Sequence, residues 1–282
     1  MTIYSINGMG KRPVLFLDSG IGGIPYCRYF HERNPERRVM YLADRLHFPY
    51  GKWEKEKLAE VLIRLAEQAI QRANPQIIVV ACNTATLAGL SALRERFPAV
   101  PFVGTVPAVK PAALASKNGK IGVLGSELTV KQSYIRELAA QFGKNEIIGI
   151  AAQELVEFVE KRLDSATPEE KTETVRRYLD RFRALGVDAV ALSCTHFLFL
   201  EEEFRREAAP DIAIFESVKG IAQRVESLLA ELPPEETAPD AEPAPGAGNR
   251  LLLTGDSAPE PSWIAWADRL GFSLSLLGDY ES

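Results

Sequence analysis

Cysteine is scarce in this chain of 282 residues, which holds three: Cys27, Cys82 and Cys194. That is too few for a disulfide framework, and the spacing fits no zinc motif. Histidine is as scarce, at His31, His47 and His196, and the three do not cluster in sequence. A metal site is therefore not expected. Long apolar runs are missing too. None approaches the ~20 residues a bilayer requires, so no membrane partner is expected. Nor is there an excess of basic residues. The formal net charge is −5, which gives no electrostatic case for direct nucleic-acid binding. Met1 to Arg12 lacks the apolar core of a signal peptide. Residues 1–12 are expected to form a loose leader, and the protein to be cytoplasmic, where thiols stay reduced.

What is present is ordinary for a globular protein: 46% hydrophobic and 25% charged residues. The length suits two domains or one large one. Apolar runs at 13–17, 39–43, 76–81 and 102–106 read as buried parallel strands. Helices are expected over 24–34, over 84–97, and over a stretch with apolar residues at Leu58, Val61, Leu62, Leu65, Ala66 and Ala69. The pattern then restarts. Strands are expected at 120–125, 146–151, 188–193 and 212–215. One helix is expected from a cap at Ser126 or Thr129 to Phe142. Others are expected over 154–163, over 168–185 with an acidic start, and after Ser217 through Glu231. Residues 232–249 are acidic and rich in Pro and Ala, and read as a mobile surface loop. A strand, a helix and a strand follow at 250–254, 263–270 and 272–277. The chain thus shows two successive β/α sets, without a clean sequence repeat.

Each set leads to a cysteine. Ile77-Ile-Val-Val-Ala-Cys-Asn-Thr-Ala85 and Val190-Ala-Leu-Ser-Cys-Thr-His196 both end an apolar run in small residues, a Cys and a nearby Thr. Open α/β sheets bind ligands at the carboxyl ends of their strands. Cys82 and Cys194 are therefore read as facing each other across one substrate. A buried Cys is more often a small core hydrophobe, and Cys27, in a helix beside bulky residues, reads that way. Two similar turns set the other pair apart. Asp18-Ser-Gly-Ile-Gly-Gly23 follows the first strand. Its glycines let backbone N–H groups approach a ligand, and its spacing is not that of a dinucleotide fingerprint. Alone it would be a turn and a helix cap. Tyr50 alone would be a turn aromatic, and Glu160 an exposed helix charge. His31 and His47 read as structural. His196, beside Cys194-Thr195, reads as functional.

Phe16-Leu-Asp-Ser-Gly-Ile-Gly-Gly23, Phe48-Pro-Tyr-Gly51, Ala81-Cys-Asn-Thr-Ala85, Val106-Pro-Ala-Val-Lys-Pro111, Thr129-Val-Lys-Gln-Ser-Tyr134 and Cys194-Thr-His196 follow one another along the chain. Together, from about residue 13 to 231, they resemble the glutamate racemases of the wider aspartate/glutamate racemase superfamily. The resemblance implies an α/β fold of two similar doubly wound domains in a pseudo-twofold relation, with the active site at their interface. On it the first, discontinuous domain is 13–109 plus 217–282 and the second is 110–216. It implies a cofactor-independent isomerase that interconverts L-glutamate and D-glutamate for peptidoglycan, and so serves cell wall biogenesis and cell shape. By the same resemblance Cys82 deprotonates D-glutamate and Cys194 L-glutamate. Asp18, Ser19, Pro49, Tyr50, Gly51, Asn83, Thr84 and Thr195 hold the substrate. Asp18, Asp44, Glu160 and His196 are polar helpers near the thiols. The chain departs from many relatives at Phe197-Leu198, where they have Tyr-Pro, and at Glu216, where they have Asp. Its 151–154 segment also lacks a Cys-Pro that some relatives carry.

The chemistry suits these residues. Inverting an α-carbon without a cofactor needs a base on one face and an acid on the other, so one cysteine is thiolate while its partner is thiol. A free thiol titrates near pH ~8.5, so the base needs help. A helix N-terminus after each Cys is expected to favour the thiolate. His196 is expected to polarise Cys194, and Asp44 or Asp18 to assist near Cys82. Rival readings are a superfamily racemase acting on aspartate or a related acid, a hydantoin racemase, or a decarboxylase. Two occupied Cys positions argue against single-Cys decarboxylases. A rival of another class is a binding protein on the same fold. Some family members inhibit DNA gyrase, although intact cysteines argue against a purely non-catalytic protein. A cell-wall-precursor activator, which some relatives respond to, and a homo-oligomer both stay open.

Overall fold

The computed structural model describes residues 12–233 and 248–278. All of the expected leader but Arg12, and most of the acidic 232–249 tract, lie outside the described residues. The strands are β1 (Val14–Asp18), β2 (Val39–Ala43), β3 (Ile77–Val80), β4 (Phe102–Gly104), β5 (Lys120–Gly125), β6 (Glu146–Ala151), β7 (Ala189–Ser193), β8 (Ala213–Phe215), β9 (Arg250–Leu253) and β10 (Ser273–Leu276). Among the described residues they form two parallel sheets, ordered β10-β9-β2-β1-β3-β4 and β6-β5-β7-β8.

Every residue of β1, β2, β3 and β7 is buried, as it must be in a sheet covered on both faces. Helices provide the cover. Lys55–Ala73 buries Leu58, Val61, Leu62, Leu65, Ala66 and Ala69, the face read from the sequence. It stops at Asn74, whose φ of 40° is a left-handed helix end. Pro168–Ala184 opens with a reciprocal cap. Glu170 N donates to Thr167 Oγ1 at 3.2 Å, and Thr167 N donates to Glu170 Oε2 at 2.9 Å. The largest apolar cluster joins the two sheets, taking in Phe16 and Phe30 from the first and Leu124, Phe182 and Phe204 from the second.

The two sheets repeat one arrangement. In each set of four strands the spatial order is second, first, third, fourth. Hence β1 corresponds to β5, β2 to β6, β3 to β7 and β4 to β8. The duplication that sequence did not show is present in topology. In this order the chain leaves the first strand towards one side and returns on the other. A crevice therefore opens at the carboxyl ends of the first and third strands. Asp18 ends β1 and Cys82 follows β3; Gly125 ends β5 and Cys194 follows β7. The two cysteines occupy equivalent positions.

Some expectations change. The single helix expected from Ser126 or Thr129 to Phe142 is two helices, Glu127–Val130 and Ser133–Ala140, with an extended Gln132 between them. Ser126 is the cap, its Oγ accepting from Thr129 N at 3.2 Å. The interruption lets Val130 seat on Gly149 of β6, where an added Cβ would lie 2.9 Å from Val130 Cβ. Docking on the sheet overrides helical continuity. β4 stops at Gly104, two residues short of the expected end. Helices Val109–Ala115 and Glu201–Ala208 have no counterpart in the sequence reading.

Candidate active site

The turns that leave both sheets meet around a narrow cleft of about 380 Å³, its mouth included. The first sheet's turns contribute Ser19, Phe48, Pro49, Tyr50, Gly51, Cys82, Asn83 and Thr84. The second sheet's contribute Ser126, Gln153, Val156, Ser193, Cys194, Thr195 and His196. Of the residues expected to hold substrate, Ser19, Pro49, Tyr50, Gly51, Asn83, Thr84 and Thr195 are all on this wall. Asp18 lies just behind it and is fully buried.

Both thiols stand at helix starts, as expected. Cys82 caps Asn83–Arg96, and Cys194 caps the tight helical turn Thr195–Leu200 that runs on into Glu201–Ala208. At Cys82, however, the helix start does not win. Burial pushes the thiol's pKa well above its ordinary value, and the Asp18 carboxylate pushes it the same way. The Ala85 amide, in the first turn, offsets only part of this. Asp18 therefore does not favour a thiolate at Cys82, which corrects the expectation that it would help there. Its own carboxyl is pushed up by burial and pulled back by the charge of His196 and by hydrogen bonds. Asp18 Oδ1 accepts from Ser19 N at 2.6 Å and Oδ2 from Thr195 Oγ1 at 3.1 Å.

The setting of Cys194 is different. His196 Nδ1 lies 3.8 Å from Cys194 Sγ, and His196 Nε2 lies 2.6 Å from Glu160 Oε1. Glu160 Oε1 also accepts from Ile21 N at 2.9 Å. Burial works against a charged imidazole here, but hydrogen bonds and charge from Cys194 and Glu160 outweigh it. The ring's pKa is held well above the ordinary histidine value. A cation beside Cys194 stabilises negative charge on that sulfur. Glu160, even-handed between surface and site in the sequence, is thus brought to His196.

The glycine turn after β1 makes this approach possible. A Cβ at Gly20 would collide with the Glu160 carboxylate, and one at Gly22 would lie 2.5 Å from both His196 Nδ1 and Thr195 Oγ1. The turn does present a backbone N–H to a carboxylate, as its glycines implied, but that carboxylate is Glu160 of this chain. Asp44 sits elsewhere. Its fully buried carboxylate accepts from Tyr50 Oη at 2.8 Å and Thr254 Oγ1 at 2.8 Å, and pairs with His47 Nδ1 at 2.9 Å. Its hydrogen-bond partners among the described residues do not include Cys82; Asp44 holds Tyr50, which lines the cleft. His47, read as structural, belongs to this arrangement.

Five residues on the wall were not among the site residues expected from sequence. Phe48 sits against the His196 ring, with centroids 6.2 Å apart. Ser126 Oγ is 3.0 Å from Thr84 Oγ1 and 2.9 Å from Thr129 Oγ1, linking the two sheets' turns. Ser193 immediately precedes Cys194. Gln153 and Val156 share a helix with Glu160, at positions i, i+3 and i+7 of one face. That spacing was a usable signal. So was the place of Ser126, after β5 as Ser19 is after β1. Two buried polar atoms on the wall, Asn83 Oδ1 and Gln153 Nε2, have no hydrogen-bond partner among the described residues. Such atoms call for a ligand or water. Among the described residues no three His, Cys, Asp or Glu side chains are grouped to hold a metal ion. No helix among them is long and apolar enough to cross a membrane.

A cleft with a thiol from each sheet, hydroxyls and amides between, and an imidazolium–carboxylate pair behind one thiol is suited to moving a proton between opposite faces of a small acid. Comparison with known proteins agrees. Residues 32–225 match the family model described as Asp/Glu/Hydantoin racemase. A glutamate racemase of Brucella anthropi is 39% identical over 225 residues, covering 78% of this chain and 80% of that protein. One of Bartonella tribocorum is 38% identical over 226 residues, covering 78% and 82%. The crystal structure of Escherichia coli glutamate racemase, in complex with L-glutamate and the activator UDP-MurNAc-ala, matches with a TM-score of 0.81 at 31% identity, covering 95% of this chain and 98% of that one. Two duplicated parallel sheets, paired cysteine turns and these likenesses lead to one conclusion: the chain is an isomerase that belongs to the Asp/Glu/Hydantoin racemase family.

Proposed function

We propose that this chain interconverts L-glutamate and D-glutamate without a cofactor, by proton transfer between two cysteines. The observation that carries the reading is the placement of Cys82 and Cys194. They follow equivalent strands of two like arrangements, and both line one cleft. One sulfur, as thiolate, takes the α-proton from one face. The carbanion that forms takes a proton from the other sulfur on the opposite face. The enantiomer leaves, the two sulfurs have exchanged protonation states, and proton exchange with water resets them. Cys82 acts on D-glutamate and Cys194 on L-glutamate. Burial and Asp18 hold the pKa of the Cys82 thiol up, and a charged His196 stands 3.8 Å from Cys194.

The other residues follow from that scheme. Asp18 meets the substrate ammonium, with Ser19 and Thr195 beside it. Asn83 and Thr84 meet the α-carboxylate, where charge grows in the transition state and fixed donors act most strongly. Glu160 holds His196 in place, and Asp44 holds Tyr50. The sheets belong to two domains, 13–109 plus 217–282 and 110–216. The product supplies peptidoglycan in the cytoplasm. A cell-wall precursor like the activator in the Escherichia coli structure is a candidate activator here.

Optical rotation of D-glutamate, and separately of D-aspartate, followed with the wild-type protein, Cys82→Ala and Cys194→Ala, tests the reading. Loss of the D-glutamate signal with wild type alone is expected. Activity on aspartate only would keep the mechanism and change the substrate to a shorter acid. Undiminished racemisation by either variant would break the two-cysteine scheme.

A further inference from the structure

Gln153 is the first residue of the helix Gln153–Arg162, which also carries Val156 and Glu160 to the site. Its Nε2 is a buried donor with no partner among the described residues. Its Oε1 faces Gly51, where an added Cβ would lie 3.3 Å away. Gln153 and Gly51 line both the cleft and an outer groove that holds Lys52 and Arg181. They form the partition between the two, at the edge of the cleft.

A dicarboxylic substrate presents two anionic ends. The cleft wall contains no Lys or Arg, and His196 is engaged by Cys194 and Glu160. A second carboxylate must therefore be met by neutral donors, since burying it unmet is strongly unfavourable. The α-carbon has to lie between the two sulfurs. Its carboxylate is one bond away, within reach of Asn83 and Thr84, which directly follow Cys82. Gln153 stands on a different element, on the part of the wall shared with the outer groove.

We propose that the Gln153 amide donates a hydrogen bond to the substrate's distal carboxylate and thereby sets the preference for glutamate over aspartate. The inference rests on the two-cysteine racemase reading and deepens it. Aspartate, shorter by one methylene, leaves Nε2 unpaired. A missing methylene alone discriminates weakly, whereas a buried donor left without its partner discriminates more.

The test uses the full chain as wild type, Gln153→Ala and Gln153→Glu, with α-proton exchange of D-glutamate and D-aspartate in D2O giving kcat and KM for each. Wild type exchanging neither acid refutes the racemase reading itself, whatever the variants do. With wild type active, Gln153→Ala is expected to raise KM for D-glutamate about tenfold to hundredfold, the value of one hydrogen bond to a charged group, with kcat little changed. The glutamate-to-aspartate ratio of kcat/KM falls by the same factor. Gln153→Glu, the same size but anionic, is expected to lose more. If the alanine variant melts early, Gln153→Met keeps the length without the donor and carries the same expectation. An unchanged glutamate-to-aspartate ratio in the alanine or methionine variant overturns the proposal. So does a Gln153→Glu variant that handles D-glutamate as wild type does.

Discussion

Cys82 and Cys194 share a helix start but not an electrostatic setting. Burial and Asp18 keep Cys82 protonated, while a charged His196 stands 3.8 Å from Cys194. Limited alkylation of the free protein near neutral pH, read by peptide mass spectrometry, is therefore expected to mark Cys194 first. Cys27, buried and with its pKa pushed up by burial, reacts last. Prior labelling of Cys82 would contradict the assignment. Asp18 gives a second prediction. Its carboxyl is raised by burial, so the ionised form opposes folding at neutral pH. Asp18→Asn is expected to abolish racemisation while leaving the melting temperature equal or higher; a large fall in stability would contradict this. His196 gives a third, with the opposite sense. Its folded pKa lies above the unfolded value of about 6.5. Its proton therefore stabilises the fold fully below that pH, and the contribution is lost as pH rises through the folded pKa. Above neutrality wild type is expected to lose more stability than His196→Gln does, measured by chemical denaturation across pH. At this scale the sequence revealed residues that sit beside a recognisable turn, such as Cys82, Asn83 and His196. It hid Gln153 and Ser126, whose relevance depends on which face of a helix, or which strand end, meets the other sheet.

Short elements carry the site, and they explain what sequence reading missed. Glu201–Ala208 buries only Phe204 and Ala208, too few apolar positions to show a helical period. Val109–Ala115 is short, with three alanines among its seven residues, and carries Pro111 in its first turn, so neither period nor polarity marks it. The long helix Lys55–Ala73 was readable because seven buried positions repeat along one face. The glycine turn after β1 was seen, but its glycines serve mainly to admit Glu160 and His196 from the second sheet. Gly22→Ala is accordingly expected to lower the racemisation rate by roughly a hundredfold, the usual consequence of displacing a catalytic group by about 1 Å. The variant should still melt cooperatively; a wild-type rate would contradict the packing argument. The residue after β9, Thr254, acts at a distance, its hydroxyl donating to Asp44. Thr254→Val removes one donor from a fully buried carboxylate and is expected to lower stability by about 1–3 kcal/mol in urea unfolding. No change would mean that Tyr50 and His47 satisfy Asp44 unaided.

At the scale of the whole molecule, one strand order appears twice, and each copy delivers a cysteine from its third strand. Sequence does not preserve such a duplication, because a buried parallel strand needs apolar residues rather than particular ones. Ile77–Val80 and Ala189–Ser193 are equivalent in topology and share little in composition. The apolar runs and their turns were enough to place the strands and to pair Cys82 with Cys194. The meeting of Glu160 with the first sheet's glycines was not, since it depends on how the two sheets sit together. The central claim is that the proton leaves to one cysteine and arrives from the other. It is tested most directly by racemising D-glutamate in D2O and measuring α-deuterium in both enantiomers at early times. The account predicts L-glutamate that is almost fully deuterated while the remaining D-glutamate is still protiated. L-glutamate that retains the substrate's own proton would mean a single base serving both faces, and would contradict it.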